Sequence, residues 1–198
     1  EESGIDANVI EKDPKKLVEI IAAMEPTVGG INLEDIRAPE CFYIENELRK
    51  RMNIPVFHDD QHGTAIIAGA AIINALKIVG KPLDEVTLVC SGAGAAAIAC
   101  LKLLVNMGMP KEHITVVDSR GVIWKGREPD MEPNKAAFAR EPSLRALEQA
   151  VEGANIFLGC SAPGLLTPEM LNTMADQPIV LALANPEPEI RPEVAKAT

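Results

Sequence analysis

The sequence predicts an α/β fold, in which a doubly wound parallel sheet is covered by helices on both faces. Short apolar runs alternate with segments of helical periodicity along most of the chain. The 198 residues are 47% hydrophobic but only 3% aromatic, so alanine, isoleucine, leucine and valine must fill the core, as is typical of helix-covered parallel sheets. A glycine-rich segment also connects one apolar run directly to a helical one, which is a feature of this class.

Residues 1–80 are predicted to form a first segment of helices and short strands. A helix is predicted to begin at Pro14, because Asp13 before it is a good N-cap, and to end before Pro26. The last helix of the segment, 61–79, is apolar almost all round, which predicts burial between layers. The other elements predicted here are strands at 27–33 and 54–57 and a helix at 40–51.

Residues 81–198 are predicted to form the sheet domain. A polar stretch at 120–135, punctuated by glycine and proline, interrupts its alternation of strands and helices. Strands are predicted at 86–90, at 114–117 with Asp118 at its end, at 156–159 and at 179–183. Helices are predicted from the glycine-rich segment to about Met107, at 135–140, at 143–151 and from Thr167 onward.

The glycine-rich segment, Gly92 to Ala97, matches the pattern GxGxxA and lies between a predicted strand and a predicted helix. Gly92 permits a tight turn, Gly94 lets the backbone approach a pyrophosphate, and Ala97 lets the helix pack closely on the sheet. Asp118 ends the next strand, close to the spacing of about 20 residues expected for a ribose-binding acid. The pattern predicts a Rossmann-like site for NAD or NADP.

The sequence leaves the choice between NAD and NADP open. Asp118 favours the free 2′-hydroxyl of NAD, because a carboxylate repels a 2′-phosphate. Arg120 follows almost at once and could neutralise that phosphate. Ser161, in the loop after the predicted strand 156–159, is expected to lie along the cofactor.

Two acidic pairs, Glu34-Asp35 and Asp59-Asp60, each follow a strand-like run. If they converge, the carboxylates need a cation, and oxygen ligands alone suit Mg²⁺ or Mn²⁺. The alternative is that such pairs are solvated turn residues, with Asp60 a plain helix N-cap. His58 and His62 flank the second pair, but without a third soft ligand a zinc site is the weaker interpretation. Asn185, before Pro186, either contacts a ligand or initiates a turn.

The composition excludes some classes of partner. The net charge is −10, from 29 acidic and 19 basic residues, which argues against nucleic acid and anionic membranes. The most apolar stretch, Ala65 to Val79, contains Asn74 and Lys77 and is shorter than the ~20 residues of a membrane span. The four cysteines are scattered, which favours reduced thiols in a cytoplasmic protein.

Four motifs together resemble the malic enzymes, and most closely the bacterial, NADP-dependent type. Their order along the chain is the same as in that family, and the likeness covers nearly all of the sequence. Four ordered motifs are far more specific than a glycine-rich turn alone. The motifs are GINLEDI at 30–36, FHDDQHGT at 57–64, GAGAAA at 92–97 and ANP at 184–186.

The resemblance implies a divalent-metal-dependent oxidative decarboxylation of (S)-malate to pyruvate and CO₂, with reduction of NADP⁺ or NAD⁺. It implies that Asp59 pairs with a catalytic lysine and that Asn185 contacts the substrate. It also implies a homo-oligomer in the full-length protein. The metal ligands that it implies are Glu34, Asp35 and Asp60.

The lysine base and the tyrosine acid of the family have no counterpart in these 198 residues. Tyr43, the single tyrosine, lies in the middle of a predicted helix and does not match the family motif. We therefore expect a fragment: part of the substrate and metal region, followed by a Rossmann domain incomplete at its C-terminus. The alternatives are a non-catalytic NAD(P)-binding module and a different Rossmann dehydrogenase in which the acidic pairs are structural.

Overall fold

A computed structural model describes residues 7–128, 131–141 and 143–198. Its contacts divide the chain into two compact units, residues 1–60 and 61–198. The sequence placed this division between residues 80 and 81, and the first six residues of that predicted segment lie outside the described residues. The difference arises because helix α3, Thr64–Val79, packs against helix α4, Ala95–Asn106, within the second unit.

The first unit packs two helices against a short pair of parallel strands, β1 and β2. The Asp13 carboxylate accepts a hydrogen bond of 2.9 Å from the amide of Lys15, so the predicted cap is confirmed. The predicted strand 27–33 is reduced to its last three residues: a 3₁₀ turn ends at Thr27, and residues 28–30, which include Gly29 and Gly30, form neither helix nor strand. The bounds are α1 Pro14–Ala23, β1 Ile31–Leu33, α2 Glu40–Arg51 and β2 Val56–His58.

The second unit contains a five-stranded sheet in the order β5-β4-β3-β6-β7. All neighbouring pairs are parallel except β4 and β5, so β5 is an antiparallel edge strand. This strand lies within the polar stretch 120–135, where none was predicted and of which residues 129–130 lie outside the described residues. The bounds are β3 Leu88–Ser91, β4 Ile114–Asp118, β5 Gly121–Val122, β6 Ile156–Gly159 and β7 Ile179–Ala182.

Helices cover both faces of this sheet, which confirms the predicted fold class. Val89 and Phe157 belong to one apolar cluster, together with residues of α6 and α7. Because side chains alternate along a strand, Cys90 and Leu158 point to the opposite face, where α4 supplies its buried side. The remaining helices are α5 Pro133–Ala136, α6 Leu147–Val151, α7 Pro168–Thr173 and α8 Pro192–Ala197, of which α8 was not predicted.

The strand order places a topological switch point between β3 and β6. The chain moves from β3 outward to β4 on one side, then returns to place β6 and β7 on the other side. In open α/β sheets ligands bind beyond the carboxyl ends of the strands at such a point. Here those ends lead into Gly92 and Cys160, which makes the loops after β3 and β6 the expected ligand site.

Helix α3 departs from the prediction that it is buried on every side. Ile66, Ile67 and Ile78 are 55%, 72% and 85% exposed. A π-helical turn at Asp59–Gly63 also extends the helix, so Asp59–Val79 spans 21 residues with a mean hydropathy of 1.5 over its most apolar window. By length and composition this segment could cross a membrane. Core helices of soluble proteins can be equally long and equally apolar.

Candidate nucleotide and metal sites

Gly92 occupies a position that no other residue fits. Its φ is +117°, and a Cβ built on it would lie 2.5 Å from the carbonyl oxygen of Cys160. Its amide donates a hydrogen bond of 2.7 Å to the carbonyl of Val117 at the end of β4. The turn after β3 is therefore held between the two neighbouring strands, and only a residue without a side chain permits that packing.

Gly94 occupies a different environment from Gly92. It is the N-cap of α4, its φ is −82°, and a Cβ there would meet nothing within 4 Å. Within the described part of the chain no side-chain hydrogen bond caps this helix, so the amides of its first turn have no side-chain acceptor there. Ala97, three residues further, is 1% exposed and packs into the core. An uncapped helix N-terminus with free approach is a suitable place for a phosphate group.

Asp118 lies at the end of β4 and is surrounded by hydrogen-bond donors. Arg127 donates from both terminal nitrogens to its two carboxylate oxygens, at 2.8 and 2.6 Å, and Lys135 lies 3.2 Å from Oδ2. The amide of Arg120 donates to Oδ1 at 2.9 Å. Burial alone would raise the pKa of Asp118, but these hydrogen bonds and charges outweigh it and lower the pKa to about 2.

Sequence reasoning missed Arg127 and Lys135. Both lie in or at the end of the polar stretch, whose irregular path no periodicity could reveal. It singled out Arg120 for its side chain. That side chain is exposed, and the contact with Asp118 is made by the backbone amide. The carboxylate that was expected to repel a 2′-phosphate is thus already surrounded by positive charge.

Ser161 lies directly beyond β6, beside the turn after β3. Its hydroxyl is 2.8 Å from the hydroxyl of Ser91, at the end of β3. Its amide donates to Oε1 of Glu189 at 2.9 Å, and the other carboxylate oxygen of Glu189 accepts from the amide of Ala184 at 3.1 Å. Glu189 is fully buried and joins the loops after β6 and β7, of which the second carries Asn185.

The side chain of Glu189 fits because residue 159 is glycine. A Cβ on Gly159 would lie 2.3 Å from the carboxyl carbon of Glu189. Sequence reasoning missed Glu189 because a glutamate among prolines and other charges is typical of a solvated loop. Only the three-dimensional arrangement places it inside the molecule.

The acidic pairs come together in part. The amide of Asp35 donates a hydrogen bond of 2.8 Å to Oδ2 of Asp60, 25 residues later. Asp60 is therefore not the helix cap: the N-cap of α3 is Gly63, without a side-chain hydrogen bond. The carboxylate of Glu34 instead accepts from Asn32 at 2.8 Å. Asp59 is exposed.

Oxygen donors such as these suit a hard divalent cation. Among residues 7–128, 131–141 and 143–198, however, no group of three His, Cys, Asp or Glu side chains is arranged to hold a metal ion. His58 is fully buried, and its Nδ1 lies 3.9 Å from Oδ2 of Asp60. The structure thus brings Asp35 and Asp60 together, and the role of the three carboxylates as a metal site stays a prediction.

The chain is similar to known proteins over almost its full length. It is 63% identical over 193 residues to an NADP-dependent malic enzyme of Haemophilus influenzae, and 62% identical to one of Escherichia coli. These alignments cover 97% and 96% of the chain. They cover 26% and 25% of the relatives, so the chain spans about a quarter of their length. An NAD-dependent malic enzyme of Rhizobium meliloti is 55% identical.

Solved structures give the same result. The NAD-dependent malic enzyme of Thermotoga maritima superposes with a TM-score of 0.90 at 41% identity, over 96% of this chain and 51% of that one. The malic enzyme of Entamoeba histolytica superposes with a TM-score of 0.89 at 37% identity, over 94% and 40%.

Two family descriptions match the sequence. "Malic enzyme, N-terminal domain" matches residues 2–49, and "Malic enzyme, NAD binding domain" matches residues 61–197. The second match alone covers well over half of the 198 residues, and it confirms the resemblance that the four motifs carried. The chain belongs to the malic enzyme family.

Proposed function

We propose that the chain forms the nucleotide-binding and metal-binding part of an enzyme that oxidatively decarboxylates (S)-malate to pyruvate and CO₂ and reduces NADP⁺. The observation that carries this proposal is the 62–63% identity, over nearly all of the chain, with the NADP-dependent malic enzymes of three bacteria. The complete enzyme is expected to be a homo-oligomer, as its resemblance to the family implies, and cytoplasmic, as the scattered cysteines indicate.

The dinucleotide is proposed to bind across the switch point of the sheet. Its pyrophosphate would lie against Gly92 and Gly94, where the backbone is open to close approach and the first amides of α4 are uncapped. Its adenosine ribose would lie at Asp118, and Ser161 would line the nicotinamide side. These residues bind and orient the cofactor, so that a hydride can be received in a fixed direction.

The charges around Asp118 favour NADP over NAD. Arg127 and Lys135 bring two positive charges to one carboxylate, so the site as a whole is cationic. A 2′-phosphate placed beside Asp118 would meet these two cations within a short distance, and their attraction offsets the repulsion by the carboxylate.

Replacing Asp118 with serine is expected to increase the preference for NADP⁺ over NAD⁺ by about tenfold, equivalent to about 1.4 kcal/mol. The substitution removes the repelling carboxylate and leaves Arg127 and Lys135 available to the 2′-phosphate. Calorimetric titration of the chain with each dinucleotide measures the ratio of dissociation constants. Asp84→Ser is the control, because Asp84 is exposed and precedes the central strand β3, at the amino end of the strands and away from the proposed nucleotide site. An unchanged ratio in Asp118→Ser would show that Asp118 does not face the ribose.

Glu34, Asp35 and Asp60 are proposed to hold a divalent cation, Mg²⁺ or Mn²⁺. The chemistry of the donors and the contact between Asp35 and Asp60 support the proposal. When bound, such an ion polarises the hydroxyl and carbonyl oxygens of the substrate. Asp59 is proposed to pair with the lysine base of the complete enzyme and so to orient it, and Asn185 to contact the substrate.

Asp60→Asn is expected to weaken Mn²⁺ binding by about tenfold or more while leaving NADP⁺ binding roughly unchanged. The amide oxygen of asparagine can still accept the hydrogen bond from Asp35, so the fold is kept and only the negative charge is lost. Titration of the chain with Mn²⁺ and, separately, with NADP⁺ provides the two measurements. Equal loss of both would indicate misfolding, and a thermal unfolding curve identifies that case. Unchanged Mn²⁺ affinity in a folded variant would rule out Asp60 as a ligand.

The reaction itself is tested on the polypeptide encoded by the complete reading frame that contains these residues. We expect formation of NADPH that requires both malate and Mn²⁺ or Mg²⁺, and that the Asp60→Asn change abolishes. If the complete polypeptide binds NADP⁺ but never reduces it with malate, the non-catalytic module is the better description.

A further inference from the structure

Three of the four cysteines lie together beneath the glycine-rich turn. Cys90 is in β3, and Cys160 directly follows β6, its parallel neighbour; the amide of Cys160 donates to the carbonyl of Ser91 at 2.8 Å. Cys90 pairs with Leu158 in this register, and Cys160 lies two residues after Leu158. Side chains two residues apart along a strand point to the same face, so Cys90 and Cys160 lie on the same face of the sheet. That face is covered by α4, which contributes Cys100. The thiol of Cys160 interacts with those of both Cys90 and Cys100, and the Cys90 thiol also donates to the carbonyl oxygen of Gly92 at 3.5 Å.

The three thiols differ in access and in acidity. Cys90 and Cys100 are buried, with 0% and 1% exposure, whereas Cys160 is partly exposed. Hydrogen bonds from Cys100 and Cys90 lower the pKa of Cys160 to about 4, and they raise the pKa of the two donors. Cys160 is thus both the most accessible and the most acidic of the three thiols, and two further thiols lie beside it. Thiolate character with access is what makes a cysteine reactive.

We propose that Cys160 is an oxidation site, and that a hydroperoxide converts it to a disulfide with Cys90 or Cys100. In the first step the thiolate sulfur attacks the outer oxygen of the hydroperoxide. The O–O bond breaks, the sulfur is oxidised to sulfenic acid, and the peroxide is reduced and leaves as hydroxide or alkoxide. In the second step a neighbouring thiol attacks that sulfur, the S–O bond breaks, and the disulfide forms as water is released.

The position of Cys160 connects this modification to the nucleotide turn. The carbonyl oxygen of Cys160 lies 2.5 Å from where a Cβ on Gly92 would be, so the two backbones are already in close contact. We expect a disulfide at Cys160, beneath the turn, to strain this contact and to shift Gly92 or its neighbours. On the proposed function, which this step assumes, NADP⁺ binding weakens on oxidation and recovers on reduction.

The modification is tested on the 198-residue chain with hydrogen peroxide, followed by alkylation of the remaining thiols and peptide mass mapping. Trypsin leaves Cys90 and Cys100 in one peptide that ends at Lys102, and Cys160 in another, so a disulfide joins two identifiable peptides. We expect this linked pair to appear before Cys41 is oxidised, because burial raises the pKa of Cys41 to about 11. Dithiothreitol should reverse it.

Two variants make the result specific. Cys160→Ala should abolish the linked peptides, whereas Cys41→Ala, the matched control in the first unit, should leave them unchanged. The proposal is overturned if Cys41 is oxidised as readily as Cys160, or if Cys160 goes on to the sulfinic acid with no linked peptide at any dose.

Titration with NADP⁺ separates this inference from the proposed function. We expect the oxidised chain to bind about tenfold more weakly than the reduced chain, and Cys160→Ala to keep its affinity after peroxide. If the reduced chain does not bind NADP⁺, the proposed function fails while the peptide map still decides the oxidation site. If the mapped disulfide leaves the affinity unchanged, the connection to the turn is refuted.

Discussion

The Gly92→Ala chain is expected to lose dinucleotide binding and to unfold more easily than the parent by about 3 kcal/mol or more. Two costs add at this position. A residue with a Cβ at a φ of +117° is strained, by about 1–2 kcal/mol. The Cβ also meets the carbonyl oxygen of Cys160 at 2.5 Å, a contact with backbone that no rotamer change can relieve. Relief requires β3 and β6 to separate at their carboxyl ends, which disrupts the switch point.

This change in stability is measured by unfolding in urea, which is monitored through the fluorescence of Trp124. Trp124 is the single tryptophan and lies in the second unit. Gly94→Ala is the matched control. Its φ of −82° suits any residue and its Cβ meets nothing, so the free energy of unfolding should change by less than about 1 kcal/mol. NADP⁺ binding should still weaken in the control, because the added methyl group stands where the pyrophosphate is proposed to approach. A stable Gly92→Ala chain that binds NADP⁺ normally would contradict the described turn.

Glu189→Ala is expected to destabilise the second unit by about 3 kcal/mol, although the residue looks like a surface glutamate in the sequence. The substitution leaves the amides of Ser161 and Ala184 without their acceptors and opens a cavity beside Gly159. Each amide stranded in the interior costs about 1–3 kcal/mol. Glu189→Gln should lose less, since its single amide oxygen can still accept one of the two hydrogen bonds.

The control is Glu187→Ala, two residues earlier. Glu187 is half exposed and pairs with Arg191 at the surface, so its loss should cost less than about 1 kcal/mol. Unfolding in urea compares the three variants, and NADP⁺ titration of the folded forms shows whether the loops after β6 and β7 have moved. Equal stabilities for the Glu187 and Glu189 variants would mean that Glu189 does not hold these loops.

Sequence alone predicted the elements whose signals are local. The start of α1 depends on the cap Asp13 and on Pro14, which neighbouring residues encode, and helix α2 covers the range that was predicted for it, 40–51. The same is true of the turn from β3 into α4, where two glycines and an alanine are fixed by the geometry of strand, turn and helix. For this reason the fold class followed from the residues before any comparison.

Features that depend on partners distant in the chain were not predictable. The contact between Asp35 and Asp60 and the burial of Glu189 arise only when separate loops meet. The exposure of Ile66 and Ile67 was missed for a related reason. An apolar helix without a polar stripe carries no signal of which side faces the solvent.

Asp118 has a consequence for the entropic cost of the proposed phosphate binding. Its carboxylate holds the side chains of Arg127 and Lys135 in one arrangement. Long cationic side chains each lose roughly 1.5–2 kcal/mol of rotamer entropy when they are fixed. That loss is incurred when the chain folds, so a phosphate bound as proposed would not have to immobilise these two cations itself. On the proposed function, Asp118 would thus act as an internal counter-ion that fixes these two cations in the folded chain, and the gain expected for Asp118→Ser is what remains after this preorganisation is lost.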